Sequence, residues 1–161
     1  MPTRNEMLTA LRRIVFPRLR ELGFKGSSNN FRRCLPDRID LFTFQFNSYG
    51  GSFVIELGQC DAGGYTTDWG EHITPDKLQP AYLDMDHRVR LLHAYLGTDQ
   101  WFEYEDANGA EELDRIAQSV LPYLEIADRI FRDSLFPGNQ ALKTFRKERY
   151  IAAIKGVFHL K

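Results

Sequence analysis

RIDLFTFQFNSYGGSFVIELGQC, residues 38–60, reads as two alternating runs joined by a glycine turn. Phe42, Phe44 and Phe46 recur at every second position before the turn Ser48-Tyr49-Gly50-Gly51, and Phe53, Ile55 and Leu57 do so after it. A period of two marks a strand with one face in a core. Pairing Asn47 with Ser52 sets Phe46 opposite Phe53, Phe44 opposite Ile55 and Phe42 opposite Leu57. A slip of one residue would turn the aromatic row to the other face, so burial itself specifies the register.

Working outward, Asn30 to Leu35 reads as a preceding strand, and a two-residue turn at Pro36-Asp37 puts Phe31 beside Phe42. Alternation then fixes the opposite face: Arg32, Cys34, Ile39, Leu41, Thr43, Gln45, Val54, Glu56, Gly58 and Cys60. Both cysteines fall opposite Ile39 from flanking strands, which separates their Cα atoms by about 9–10 Å. A disulfide needs less than about 7 Å, so two free thiols are expected.

Upstream, Thr3 and Glu6 form a capping-box pattern. Leu8, Leu11, Ile14, Val15, Leu19 and Leu22 then follow helical spacing, with a kink predicted at Pro17 and a stop at Gly23-Phe24. Downstream, residues 61–86 show no period, apart from one helical turn that Thr74-Pro75 could start. Such a long connection is commonly functional. His87 to Leu96 reads as a fourth strand with Val89, Leu91, His93 and Tyr95 on one face, and His93 as a hydrogen-bonded core residue. Trp101 to Glu105 reads as a fifth. A helix capped by Asn108 carries Leu113, Ile116, Ala117, Val120 and Leu121. Pro122 opens another with Leu124, Ala127, Ile130 and Phe131 inward, and a basic helix closes the chain at about 139–158. The expectation is an α+β fold: an antiparallel sheet of about five strands in meander order with helices packed on one face. Residues 1–161 form one domain.

Composition bounds the function. Two cysteines without metal spacing point to a reducing compartment, and arginines interrupt the N-terminal apolar residues, so no signal peptide or membrane span is expected. The reading is soluble and cytoplasmic. Residues 1–38 carry nine basic groups against Glu6, Glu21 and Asp37, or +6, and residues 140–161 carry +5. With the whole chain at −1, residues 39–139 hold −12. Basic ends folded onto an acidic middle argue against a nucleic-acid binder, which is usually basic overall.

The passages LRELGFKGSSNNFRR, FTFQFNSYGGSFVIELGQ, RVRLLHAYLGTDQWFEYED and VLPYLE, in this order, resemble the bacterial family called domain of unknown function 4304, over roughly residues 8–125. Its pattern falls on Leu22-Gly23-Phe24, Gln45 and Ser48, Gly58, and Trp101-Phe102. Glu56 stands where an asparagine is common, and Phe102 replaces a second tryptophan. Residues 139–161 lie beyond the family core. The resemblance implies a bacterial α+β domain without an established activity, and by analogy an immunity- or inhibitor-like role.

Three constellations could carry chemistry. Asp68, Trp69 and His72, with Asp61, Glu71 and His87, lie in or beside the long loop, where carboxylates and imidazole could gather a metal or act as acid and base. No standard metal spacing is present, and no metal or cofactor is implied. On the outer sheet face, Arg32, Thr43, Gln45 and Glu56 lie within a few strand widths, with Ile39, Leu41 and Val54 making that face more apolar than a wet surface. The last helix is one candidate to cover it. Cys34 and Cys60 read as packing residues. The residues favour a non-enzymatic protein-binding domain, monomeric or homodimeric, using this face and the loop. The alternative is a small metal-dependent or acid–base hydrolase centred on 61–86.

Overall fold

The computed structural model describes residues 1–93 and 97–139. Helix α1, Arg4–Ile14, opens with the expected capping box: Glu6 N–H donates to Thr3 Oγ1 at 3.2 Å and Thr3 N–H to Glu6 Oε2 at 2.6 Å. Pro17 breaks the helix instead of bending it, and a second helix α2 runs Phe16–Glu21 with the proline in its first turn, where no N–H is needed. Gly23, at φ +96°, then ends it. Phe24 N–H returns to Leu19 O and Gly23 N–H to Arg20 O, both at 3.0 Å, which is the Schellman closure. The Leu-Gly-Phe triplet is thus a helix stop that delivers Phe24 to the core.

The strands are β1 Lys25–Ser27, β2 Asn30–Cys34, β3 Arg38–Phe46, β4 Ser52–Asp61, β5 Tyr65–Thr66, β6 His72–Ile73, β7 Arg88–Arg90 and β8 Phe102–Glu103. The main sheet runs β1-β2-β3-β4 as an antiparallel meander, and β7 and β8 share the far edge of β4. Phe31 pairs with Phe42, Phe42 with Leu57, Phe44 with Ile55 and Phe46 with Phe53, the register the phenylalanines dictate. Cys34 and Cys60 flank Ile39 and are both free. Strand β1 was not anticipated, and the fourth and fifth strands are shorter than expected. Strand β7 stops at Arg90 because Leu92 takes φ +70° and turns the chain. His93 is therefore exposed just past the turn and not in the core, and it meets Asp99 at 2.7 Å. Residues 94–96, including Tyr95, lie outside the described residues.

After the sheet comes a single helix α3, Ala110–Arg132, where two were expected. Its cap is Gly109, not Asn108, whose N–H instead donates to Glu112 Oε2 at 2.6 Å. Pro122 sits inside it. Leu113, Ala117, Val120, Leu124, Ala127 and Phe131 continue one buried stripe through the proline. The carbonyl that Pro122 leaves without a partner belongs to Gln118, on the exposed side where water reaches it. Helices α1, α2 and α3 pack on the inner face, with Met7, Leu11, Val15, Phe16, Val120 and Ile130 around Phe42, Phe44 and Phe53. The last basic helix lies outside the described residues. Among the described residues no helix is long and apolar enough to cross a membrane.

The outer face has its own cover. Ile73, Leu78 and Leu83, from the segment without a sequence period, close over Ile39, Leu41 and Cys60 as a second apolar cluster. This segment forms the β5–β6 hairpin and two 3-10 turns, Pro75–Lys77 and Pro80–Tyr82. Thr74 takes the cap position of the first turn, with Pro75 following, but its hydroxyl donates to Asp76 Oδ1 at 2.6 Å and not to a backbone N–H. The second turn lies so close to β4 that a Cβ on Gly58 would stand 2.8 Å from Leu83 Cδ1 and 3.3 Å from Pro80 Cα. A glycine is favoured there by approach, not by dihedral angle, since any side chain would have to displace Leu83 and press on Pro80.

Candidate functional site

The cover closes only half of the outer face. Beyond it, Asn30, Thr43, Glu56 and Arg90 form one row across β2, β3, β4 and β7, each paired with the next. Gln45 stands one row further along β3 and is exposed. Thr43 is half-buried, and neither residue points among the phenylalanines. Two adjoining cavities lie over this row. One, of about 500 Å³, is lined by Gln45, Glu56, Met85, Arg88, Val89, Arg90, His93, Asp99 and Pro137. The other, of about 230 Å³, is lined by Arg4, Asn29, Asn30, Thr43, Gln45, Phe46, Glu56, Gln79 and Ala81. Gln45 and Glu56 belong to both, so the two make one trough across the strands, with residues 79–85 as one bank. Four strands at a spacing of about 4.8 Å give it a length of about 14 Å.

Asp99 gathers two of the charged groups in the trough. Arg90 Nη1 donates to Asp99 Oδ2 at 2.8 Å, its guanidinium lies 5.8 Å from the Trp101 ring, and His93 Nδ1 meets the other Asp99 oxygen at 2.7 Å. Glu56 has a side chain only 13% exposed, with Arg88 Nη1 at 3.8 Å. Burial pushes the Glu56 carboxyl above its usual pKa, against the pull of Arg88 and Arg90. At the rim, Met85 is 69% and Trp101 39% exposed, large apolar groups beside arginines. That mixture of methionine, tryptophan and arginine is the composition of protein interfaces.

Of the candidates from the sequence, Thr43, Gln45 and Glu56 come together here. Arg32 lies one row away, beside Leu41 and towards the covered half, where its charge helps the Thr74 hydroxyl hold the Asp76 carboxyl below its usual pKa. Asp68, Trp69 and His72 belong to the β5–β6 hairpin. Both His72 ring nitrogens are engaged, Nδ1 with Thr66 Oγ1 at 3.0 Å and Nε2 with the Gly63 carbonyl at 3.1 Å. Trp69 is exposed and its Nε1 donates to Glu71 Oε2 at 3.1 Å, and Asp68 is exposed at the hairpin tip. Among the described residues no three His, Cys, Asp or Glu side chains converge as a metal ion requires. Burial raises the Cys60 thiol to about 12, with Asp61 adding to it, which leaves it unreactive at neutral pH.

Sequence reasoning did not single out Met85, Arg88, Arg90 or Asp99. Met85 comes from the aperiodic segment, Arg88 and Arg90 from the expected fourth strand and Asp99 from the turn after it, and only the pairing of Arg90 with Glu56 would have placed them on the outer face. It also missed a buried ionic centre at the end of the inner face. Arg33 Nε donates to Asp40 Oδ2 at 3.0 Å, and its Nη1 to Asp128 Oδ1 at 2.8 Å and to the Leu22 carbonyl at 2.9 Å. Arg38 and Gln59 take the second Asp40 oxygen at 3.0 and 2.8 Å. The signal was available: alternation puts Arg33, Asp40 and Gln59 on the phenylalanine face.

The sequence model of the family described as domain of unknown function (DUF4304) matches residues 15–129. No curated protein and no solved structure matches the chain.

Proposed function

The chain belongs to the DUF4304 family, a domain of unknown function, and we propose that it is a non-enzymatic binding domain that takes a segment of a partner protein into the trough. The observation that carries this is the joining of the two cavities through Gln45 and Glu56 into one open channel between the exposed Met85 and the strand row. An extended chain advances about 3.4 Å per residue, so the trough accommodates about four residues. Arg90 and His93 both hold Asp99, and an acid engaged in this way favours recognition over turnover. An immunity- or inhibitor-like role is one form such binding would take. Two unbonded thiols fit a reducing compartment, and we place the chain in the cytoplasm on that ground.

Quantitative affinity capture from a native lysate tests this reading. Wild type and His72→Ala should retain the same partner, whereas Glu56→Arg and Met85→Asp should lose it. An unchanged partner set in the two trough variants would remove the proposal. A hydrolase remains the second reading, because Asp84 Oδ1 meets His87 Nδ1 at 2.6 Å while Tyr65 O–H donates to the other Asp84 oxygen at 2.9 Å. That is an oriented histidine beside the 61–86 cover. Generic ester and phosphate substrates with and without Mn²⁺ or Zn²⁺ test it, and turnover abolished by His87→Ala would displace the binding domain.

A further inference from the structure

We propose that the bound segment adds to the free edge of β7 as a further strand and sets an aspartate or glutamate opposite Arg88. This rests on the trough being a docking surface and names how the segment is held where the trough reaches β7. Gln59 N–H donates to His87 O at 2.9 Å, and Leu91 N–H to Ile55 O at 2.8 Å. Antiparallel ladders alternate, so Val89 and Leu57 are bonded in the same way, while Arg88 and Arg90 face Gly58 and Glu56 as non-hydrogen-bonded pairs. The N–H and C=O groups of Arg88 and Arg90 therefore point away from β4. Among the described residues neither has a backbone partner on that side. The same edge is occupied two positions earlier, where Gly138 N–H donates to Asp86 O at 2.8 Å, but Asn139 N–H returns to Phe136 O and does not continue the ladder.

The larger cavity, of about 500 Å³, runs along this edge. Arg88, Val89 and Arg90 all line it, and successive side chains of a strand point to opposite faces, so only a space beside the strand touches all three. An added strand would bond through the backbone to Arg88 and Arg90, which gives affinity without regard to sequence, and its side chains would supply the selection. Arg90 is already matched, by Asp99 at 2.8 Å. Arg88 is not. Its Nη1 stands 3.8 Å from Glu56 Oε1, beyond hydrogen-bond length, and its Nε is buried without an acceptor. A carboxylate on the residue opposite Arg88 completes a cross-strand pair of opposite charge. The neighbouring residue of the segment then faces the other way, beside the buried Val89, and is apolar.

Selection of a random peptide library on the full-length chain, followed by N-methylation of single amides in a synthetic copy of the best binder, tests the added strand. Wild type should enrich peptides with an aspartate or glutamate at one shared position. Methylation at alternate amides, the one at the acidic residue included, should weaken binding at least about tenfold, and methylation at the amides between them should leave it unchanged. Arg88→Gln, its folding checked by thermal unfolding, should lose the acidic preference. Binding without this alternation, a basic residue at the shared position, or an acidic preference that survives Arg88→Gln overturns the added strand and leaves the trough as a docking surface. Slow hydrogen exchange of the Arg88 and Arg90 amides in the chain without peptide means that its own residues or a second copy already hold the edge, and also overturns it. No enrichment at all overturns both the added strand and the docking surface.

Discussion

Glu56 and Cys60 lie four positions apart on the same face of β4, and burial acts on both in the same direction. The raised Glu56 carboxyl binds a proton in the folded state at a pH where the unfolded chain has released it. Stability therefore falls as pH rises through the interval between the unfolded and the folded pKa of this group. Glu56→Gln removes that loss. Its thermal midpoint should equal or exceed that of wild type near pH 7, and the difference should shrink as the pH is lowered through the carboxylate range. A midpoint well below wild type near pH 7 would mean that the carboxylate is satisfied in the native state. Cys60, 7% exposed and with its thiol raised to about 12, should resist a thiol reagent until the protein unfolds, while the exposed Cys34 reacts at once. Counting labelled thiols before and after denaturant checks this.

Elements differ in how far the chain announced them. The β3–β4 hairpin was fully legible, because three phenylalanines at period two admit a single register against Phe53, Ile55 and Leu57. Thr43, Gln45 and Glu56 followed by alternation. The cover was not legible: Ile73, Leu78 and Leu83 have neither helical nor strand spacing, and they acquire meaning only from Ile39, Leu41 and Cys60 beneath them. Pro122 misled for a definable reason, since a proline usually begins a helix. The stripe from Leu113 to Phe131 ran through it at spacings of three and four, the better guide. Because the cover rests on Gly58, Gly58→Ala should force Leu83 and Pro80 outward. A loss of about 1–3 kcal/mol in chemical denaturation is expected, with faster hydrogen exchange confined to residues 73–83.

At the scale of the molecule, charges that looked segregated in the sequence are joined in the fold. Arg13 meets Asp114 and Arg18 meets Glu125, both at 2.5 Å, and Arg33 reaches Asp128, so the basic N-terminal region is tied to α3. The exposed pairs contribute little. The Arg33 centre is different, because Asp40 is fully buried and Asp128 nearly so, and it links β2, β3, the end of α2 and α3. Arg33→Met leaves two carboxylates in the interior short of their partner and should cost about 3–5 kcal/mol of unfolding free energy. A loss below about 1 kcal/mol would show that water, or Arg38 on Asp40 and Arg132 on the second Asp128 oxygen, replaces it. With the helices fixed to the inner face by this centre and the 61–86 segment fixed over half of the outer face, the open trough is the surface through which the account predicts recognition. Hydrogen exchange of the full chain with and without its captured partner measures that most directly. Protection should appear at residues 43–45, 54–56 and 85–90, and protection confined to the 65–73 hairpin, or absent from the trough, would contradict it.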